Sequence, residues 1–186
     1  MASIEYLIKQ FMTPDKKSLD LSNQQIGDKG AIKLSEYKNF RKLKRLILPN
    51  NNISDEGISA IANSEKFKHL IELDLYGNVI SDDGVKEIAE SAHMSNLKKL
   101  SLYGNLVEDD GAIAIANTEN FPKLKDLSMF GNVIGNTGAQ AFADSPQSKK
   151  YIKLDLYKNQ YTREGYKALT ESENLKNCEE LEVYRE

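Results

Sequence analysis

Residues 73–84 read LDLYGNVISDDG, in which two leucines two positions apart are followed by an asparagine, an isoleucine and a pair of aspartates that ends at glycine. The same arrangement returns every 27 residues along the chain. Its first leucine recurs as Leu19, Leu46, Leu73, Leu100, Leu127, Leu154 and Leu181. A fixed period of this length predicts a solenoid, in which each repeat packs only against its neighbours.

The second leucine of the motif predicts a short strand. Side chains two residues apart lie on the same side of a strand, so both leucines point into the core. The second position is apolar throughout, as Leu21, Leu48, Leu75, Leu102, Met129, Leu156 and Val183. Between strands, apolar residues spaced three and four apart predict one amphipathic helix in each repeat. Cys178 falls in a third apolar column, so we expect its thiol to occupy a place in the core.

An amide side chain stands five residues after the first leucine of six repeats, as Gln24, Asn51, Asn78, Asn105, Asn132 and Asn159. An amide can accept from backbone N–H groups and donate to carbonyl groups. Stacked copies therefore predict a ladder that satisfies the buried backbone of the turns.

An acid or amide precedes a glycine by two residues in five repeats, at Asp28, Asp55, Asp82, Asp109 and Asn136. Such side chains favour helix N-termini, where they accept from free N–H groups. We expect each of them to cap the helix that it begins. The glycine is expected to let that helix approach its neighbour closely.

The alternation of strand and helix predicts parallel strands joined by right-handed crossovers. Strands pack about 4.8 Å apart and helices about 10 Å apart, so the array must bend with its strands inside. We expect an α/β right-handed solenoid, a horseshoe arc with a concave parallel β-sheet and convex helices. Residues 1–17 are predicted to form a capping helix, with Ser3 as its N-cap, and residues 18–186 the repeats. Six repeats start near residues 19, 46, 73, 100, 127 and 154, and a terminal strand starts at 181.

Composition limits the classes of partner. The net charge of −3 and the pI of about 5.6 give no general attraction to nucleic acid or to an anionic membrane. The sequence has no run of about eighteen apolar residues and no secretory signal pattern. We therefore expect a location in the cytoplasm, or secretion into a host cell by a route that needs no signal peptide.

The repeats resemble the leucine-rich repeat in its ribonuclease-inhibitor-like class. The helical segments GAIAIA at 111–116 and GAQAFA at 138–143 are similar to the GALA subtype found in bacterial effector proteins. The resemblance covers about nine tenths of the chain. It implies the horseshoe fold and a binding architecture, because this family shares a shape and not a reaction.

The inventory of reactive side chains argues against an enzyme. The chain has two histidines, His69 and His93, and neither is paired in the sequence with an obvious nucleophile and orienting acid. The glycines lie at fixed offsets and form no phosphate-binding loop. Pairs such as Asp82 and Asp83 lack the dense alternating oxygen ligands of a calcium loop. We predict no catalytic residue, no metal and no cofactor.

The third position after each first leucine projects from the concave face and is aromatic in five successive repeats, as Tyr76, Tyr103, Phe130, Tyr157 and Tyr184. Two interpretations stand beside each other. The rings could stack on one another and only stabilise the sheet, or they could bind a partner. We favour binding, because a contiguous apolar stripe with polar edges is typical of an interaction surface.

Charged positions flank the aromatic column. Asp74 and Asp155 are candidate polar anchors for the partner. A further column alternates in sign, as Arg45, Glu72, Lys99, Asp126, Lys153 and Glu180. It could hold the strands in register through cross-strand pairs, or its members Lys99 and Asp126 could contact the partner.

We therefore hypothesise a non-enzymatic protein-binding module, which the GALA resemblance extends to a bacterial effector acting on a host protein. The alternative is an inhibitor of an enzyme or a structural scaffold. We expect a monomer that binds no nucleic acid and no membrane, with a C-terminal strand edge at Leu181 that could pair with another chain.

Overall fold

The computed structural model describes residues 2–183, and within them seven strands alternate with helices along the chain. The strands are β1 (Ser18–Asp20), β2 (Arg45–Ile47), β3 (Glu72–Asp74), β4 (Lys99–Ser101), β5 (Asp126–Ser128), β6 (Lys153–Asp155) and β7 (Glu180–Glu182). The helices are α1 (Ile4–Phe11), α2 (Gly27–Glu36), α3 (Asp55–Ala62), α4 (Asp82–Glu90), α5 (Asp109–Asn117), α6 (Asn136–Asp144) and α7 (Arg163–Thr170). Short 3₁₀ turns at Glu65–Phe67 and Pro146–Lys150 return the chain toward β3 and β6.

The strands form one parallel sheet in the order β1 to β7, and each strand pairs with its neighbours in sequence. The register matches equivalent residues of successive repeats, so that Leu46 lies opposite both Leu19 and Leu73. The sheet does not close on itself. The prediction of a right-handed solenoid arc with a parallel sheet and flanking helices is confirmed.

Strand pairing continues beyond the three-residue strands. The N–H of Leu75 donates to the carbonyl of Ser101 at 2.9 Å, and that of Gly77 donates to Tyr103 at 2.9 Å. The turn that leaves each strand is therefore held to the turn of the next repeat. These turns carry the aromatic side chains that the sequence predicts as partner contacts.

One continuous core runs through the repeats. Leu73 and Leu75 have no exposed surface, and the equivalent residues of the neighbouring repeats are buried in the same way. Burying a leucine side chain contributes about 1.5–3 kcal/mol. Helix α1 packs on the first repeat through Ile4, Leu7 and Ile8.

The asparagines of the predicted ladder each join two repeats, whereas the Gln24 amide donates within its own turn, to the carbonyl of Ser22 at 3.1 Å. The Oδ1 atom of Asn78 accepts from the N–H groups of Asn51 at 3.1 Å and Ile53 at 3.0 Å, both in the preceding repeat. Its Nδ2 atom donates to the carbonyls of Leu48 at 3.0 Å and Leu75 at 2.9 Å. The amide thus satisfies backbone groups that lie out of reach of water.

The prediction that each aspartate caps the helix it begins is wrong. The Oδ1 atom of Asp55 accepts from the N–H of Ser81 at 2.8 Å and from that of Gly84 at 3.1 Å. It therefore caps α4, the helix of the next repeat. Asp55 is itself the first residue of α3, so its side chain projects sideways across the repeat interface.

The glycine of each helix lies against this carboxylate. A Cβ atom on Gly84 would collide with Asp55 and with the side chain of Ile80. The expectation that glycine permits a close approach is confirmed, and the approaching group is the aspartate of the preceding repeat.

Cys178 is only half-buried, in the last layer of the described residues. Its Sγ atom donates to the carbonyl of Ile152 at 3.4 Å, and burial raises the pKa of the thiol. The Cys178 side chain therefore lies at the edge of the core and is partly exposed to solvent, instead of being fully buried as expected. Between residues 2 and 183, no helix has the length and apolar content that crossing a bilayer requires.

Candidate protein-binding surface

The aromatic column forms a continuous row of rings. The ring centroids of Tyr76 and Tyr103 lie 4.4 Å apart at 27°, a stacked arrangement. Phe130 meets Tyr103 edge-on at 4.4 Å and 63°, and Tyr157 follows it at 5.7 Å and 42°. Tyr184, the fifth predicted member, lies outside the described residues.

The rings sit just past the ends of the strands, in the turns that leave the sheet. Gly77 follows Tyr76 with a φ of +67°, a conformation that glycine adopts at no steric cost. The ring of Tyr76 lies over Gly104, the equivalent glycine of the next repeat, and the ring of Tyr103 lies over Gly131. The aromatic column therefore stands at the border between the concave face and the rim.

The two predicted polar anchors hold these turns in place. The Oδ1 atom of Asp74 accepts from the N–H of Tyr76 at 3.0 Å, and that of Asp155 accepts from the N–H of Tyr157 at 3.1 Å. The Oδ2 atom of Asp155 also accepts from the Ser128 hydroxyl at 3.2 Å. Burial raises the pKa of Asp155 above its usual range.

Stacking leaves part of the rings in solvent. Tyr76 and Tyr103 are each 37% exposed, while Phe130 and Tyr157 are half-buried. Neither hydroxyl of Tyr76 and Tyr103 makes a hydrogen bond with any residue of the described chain. The rings therefore pack against one another and still leave part of Tyr76 and Tyr103 in contact with solvent.

The alternating charges pair across the strands. The Nζ atom of Lys99 lies 3.8 Å from Glu72 and 3.7 Å from Asp126, and Lys153 lies 2.8 Å from Glu180. These pairs support the register interpretation of the column. Lys99 and Asp126 share the sheet face with Asp74 and the aromatic rings, because residues two apart project to the same side.

A second apolar column was missed by the sequence reasoning. We call Val79, Leu106 and Val133 the rim column; they lie three residues after Tyr76, Tyr103 and Phe130. Val79 is 38% exposed and Leu106 is 51% exposed. The 27-residue period could have found them, since apolar residues recur at a position that needs no burial.

A surface cavity of about 810 Å³ lies at the same rim in the first repeats. Amide side chains such as Asn50 and Asn52 line it together with Gly77, and both asparagines adopt left-handed backbone conformations. In the part of the chain that is described, no group of three His, Cys, Asp or Glu side chains is arranged to hold a metal ion.

Comparison with known proteins agrees with this architecture. A family model described as Leucine Rich repeat matches residues 17–35, 41–62, 68–89, 93–116 and 122–143, more than half of the chain. None of the curated protein sequences matches.

Among solved structures, an internalin (inlF) from Listeria monocytogenes is similar over 90% of this chain, at 18% identity and a TM-score of 0.53. The match covers 39% of the internalin chain, so this chain spans about two fifths of its length. A pollen receptor kinase 3 matches 90% of this chain and 72% of its own, at 18% identity and a TM-score of 0.49. The likeness to the internalin shows a shared fold.

Proposed function

Because the chain belongs to the leucine-rich repeat family, we propose that it is a non-enzymatic protein–protein interaction module that binds its partner through the concave aromatic face. The observation that carries the proposal is the row of stacked rings in which Tyr76 and Tyr103 remain 37% exposed. The proposed contact set is Tyr76, Tyr103, Phe130, Tyr157, Tyr184, Asp74, Asp155, Lys99 and Asp126.

Energetics favour a partner over a purely structural row. Each aromatic pair contributes about 0.5–1.5 kcal/mol of stacking beyond the burial of area. Stacking requires aromatic rings but no hydroxyl groups, so it does not explain why Tyr76 and Tyr103 each carry a hydroxyl. Tyrosine combines a rigid apolar body with a polar tip and is enriched where interfaces concentrate their binding energy.

The double variant Tyr76→Phe/Tyr103→Phe separates the two interpretations. It keeps both rings and removes both hydroxyls, so the free energy of unfolding should stay within about 0.5 kcal/mol of the parent value. Affinity for a partner captured by the unchanged protein should fall about tenfold, because two hydrogen bonds are lost. Titration of the purified partner measures the affinity, and denaturant unfolding measures the stability.

Two further variants complete the test. Tyr103→Ser/Phe130→Ser removes the centre of the row and should abolish capture of the partner. Lys167→Ala, on the exposed side of the outer helix α7, is the matched control and should bind normally. The proposal fails if the folded Tyr103→Ser/Phe130→Ser variant captures its partner as well as the parent does.

A narrower proposal is that the module is a bacterial effector that acts on a host protein. Its support is the GALA-like sequence of α5 and α6, at 111–116 and 138–143. Capture from host-cell extract, followed by an activity assay on any captured enzyme, tests it. Inhibition of that enzyme would support the inhibitor alternative, whereas unchanged activity would support a scaffold. In either case we propose a monomer with no nucleic-acid or membrane partner.

A further inference from the structure

Exposed apolar side chains concentrate at one place on the molecule. Tyr76, Val79, Tyr103 and Leu106 come from two adjacent repeats, and all four belong to the small set of large exposed apolar residues in the described chain. Between the aromatic and the rim residue, each repeat has only a glycine and a buried asparagine. In these two repeats the aromatic row and the rim column therefore adjoin without an intervening charge. The first cation beyond them is Lys158, whose Nζ atom lies 5.3 Å from the centroid of the Phe130 ring.

Packing does not explain the rim column. Leu106 is 51% exposed, although its neighbour Val107 has no exposed surface. The equivalent position is polar in other repeats, as Gln25, Asn52 and Gln160. The fold thus accepts polar side chains here, and apolar ones occur only beside the aromatic rings. A solvent-facing apolar surface of this kind is typical of an interaction site.

The border of this surface is acidic on both sides. Asp74 ends β3 on the concave side. Asp83 and Asp110 are exposed in the first turns of α4 and α5, and Glu108 is exposed directly before α5. A single cation, Lys86, serves two of these carboxylates, at 3.8 Å from Asp83 and 3.4 Å from Asp110. Neither Asp74 nor Glu108 makes an ion pair within residues 2–183. An excess of negative charge remains beside the apolar centre.

We propose that the rim column and the aromatic row together form a docking surface for a segment of a partner protein that carries apolar side chains flanked by lysine or arginine. The inference rests on the proposed function and adds the chemistry of the partner. The apolar side chains would cover Val79 and Leu106, and the cations would meet Glu108 and Asp74. Complementary charge speeds encounter and selects against acidic segments.

The backbone beneath the surface is already ordered. The N–H of Val79 donates to the carbonyl of Ile53 at 3.0 Å, and that of Leu106 donates to Ile80 at 2.9 Å. These bonds hold each rim residue to the preceding repeat. Little conformational freedom is left to lose on binding, which favours affinity.

A displayed library of random dodecapeptides, selected on the immobilised full chain, tests the proposal. Enriched peptides should combine aliphatic or aromatic residues with lysine or arginine. Synthetic copies should bind Val79→Ser/Leu106→Ser at least about tenfold more weakly than the parent, as expected when central apolar contacts are lost. Because both side chains face solvent, the variant should keep the parent melting temperature.

The variant Glu108→Gln/Asp110→Asn tests the contribution of the acidic border. Peptide affinity should fall several-fold, and its dependence on salt should weaken, since exposed charges act through a screened field. Lys167→Ala on α7 serves again as the control with parent affinity.

Failure of the inference can be told apart from failure of the proposed function. Peptides that require Tyr103 and Phe130 but bind the rim variant normally would overturn the rim surface and leave the concave-face function standing. Peptides unaffected by either set of substitutions would contradict both. Absence of enrichment, or enrichment of acidic peptides, would overturn the inference.

Discussion

At the scale of single residues, the buried and capping polar side chains form their hydrogen bonds mainly across the boundary between repeats. The Asn78 amide reaches the backbone of the preceding repeat, whereas the Asp55 carboxylate reaches the helix of the following one. A buried polar atom without a partner is correspondingly rare here. Two such atoms among the described residues, Ser148 Oγ and Tyr151 Oη, lie in the same repeat.

Tyr151→Phe should stabilise the protein by about 1 kcal/mol, because it removes a buried hydroxyl that has no hydrogen bond. The N–H of Tyr151 donates to the carbonyl of Ser148 at 3.1 Å, and Ser148 stands where the other repeats have phenylalanine, methionine or leucine. Burial raises the pKa of Tyr151, in agreement with an apolar surrounding. Denaturant unfolding measures the change.

The matched control is Tyr161→Phe. The hydroxyl of Tyr161 donates to the carbonyl of Leu156 at 3.0 Å, so its removal should destabilise the protein by about 1 kcal/mol. Destabilisation by Tyr151→Phe would contradict the prediction and indicate that its hydroxyl has a partner such as a buried water.

Gly135→Ser should stabilise the protein by about 0.5–1 kcal/mol. The hydroxyls of Ser54 and Ser81, at the equivalent position, donate to Oδ2 of Asp28 at 2.8 Å and of Asp55 at 2.6 Å. Gly135 has an extended backbone that serine can adopt, and its partner Asp109 is in place. The reverse change, Ser54→Gly, should cost a similar amount in the same unfolding measurement.

At the scale of the elements, each helix from α3 to α7 is capped at its N-terminus by a side chain of the preceding repeat. Helix α2, which has no repeat before it among the described residues, begins without a side-chain cap. The strands are joined in addition by the charge pairs around Lys99. At half exposure such pairs contribute about 0.2–1 kcal/mol each, so they serve register more than stability.

Asp55→Ala should lower the free energy of unfolding by about 1–2 kcal/mol through loss of the cap on α4. Hydrogen exchange should accelerate at the amides of Ser81 and Gly84, which are its partners, while the amides of α3 keep their protection. Asp83→Ala is the control, because the Asp83 side chain is exposed and its one ion pair among the described residues is with Lys86. This variant should change stability by less than about 0.5 kcal/mol. Faster exchange at the start of α3 instead of α4 would refute this assignment.

At the scale of the whole molecule, the free energy of unfolding comes mainly from the interfaces between neighbouring repeats, and α1 covers the first repeat. A solenoid of this kind can open locally from its ends. The described part of the other end is β7, which pairs with β6. Whether its outer edge pairs with another chain stays a prediction.

Leu7→Ala/Ile8→Ala should destabilise the protein by more than about 3 kcal/mol, since both side chains are buried against the first repeat. The loss should be local. Hydrogen exchange should increase most in β1 and α2 and least in β5 and α6. Tyr6→Ala, at an exposed position of the same helix, is the control and should leave both stability and exchange unchanged.

Much of the fold could be read from periodicity. The columns that begin at Leu19 and Leu21 define the strands and the core, and the amide column defines the turns. These predictions hold because the side on which a residue lies depends only on its position within its own repeat. The aromatic row follows from the same rule.

The repeat period by itself therefore determined the strands, the core, the amide ladder and the row of rings. Only the tertiary structure decided that Asp55 caps the next helix, that Cys178 is half-buried, and that Val79 and Leu106 stand in solvent beside Tyr76. Those outcomes depend on the offset between adjacent repeats and on how far each repeat is covered by the next one. A pattern within one repeat does not contain that information, because contacts across an interface arise only when two repeats are stacked.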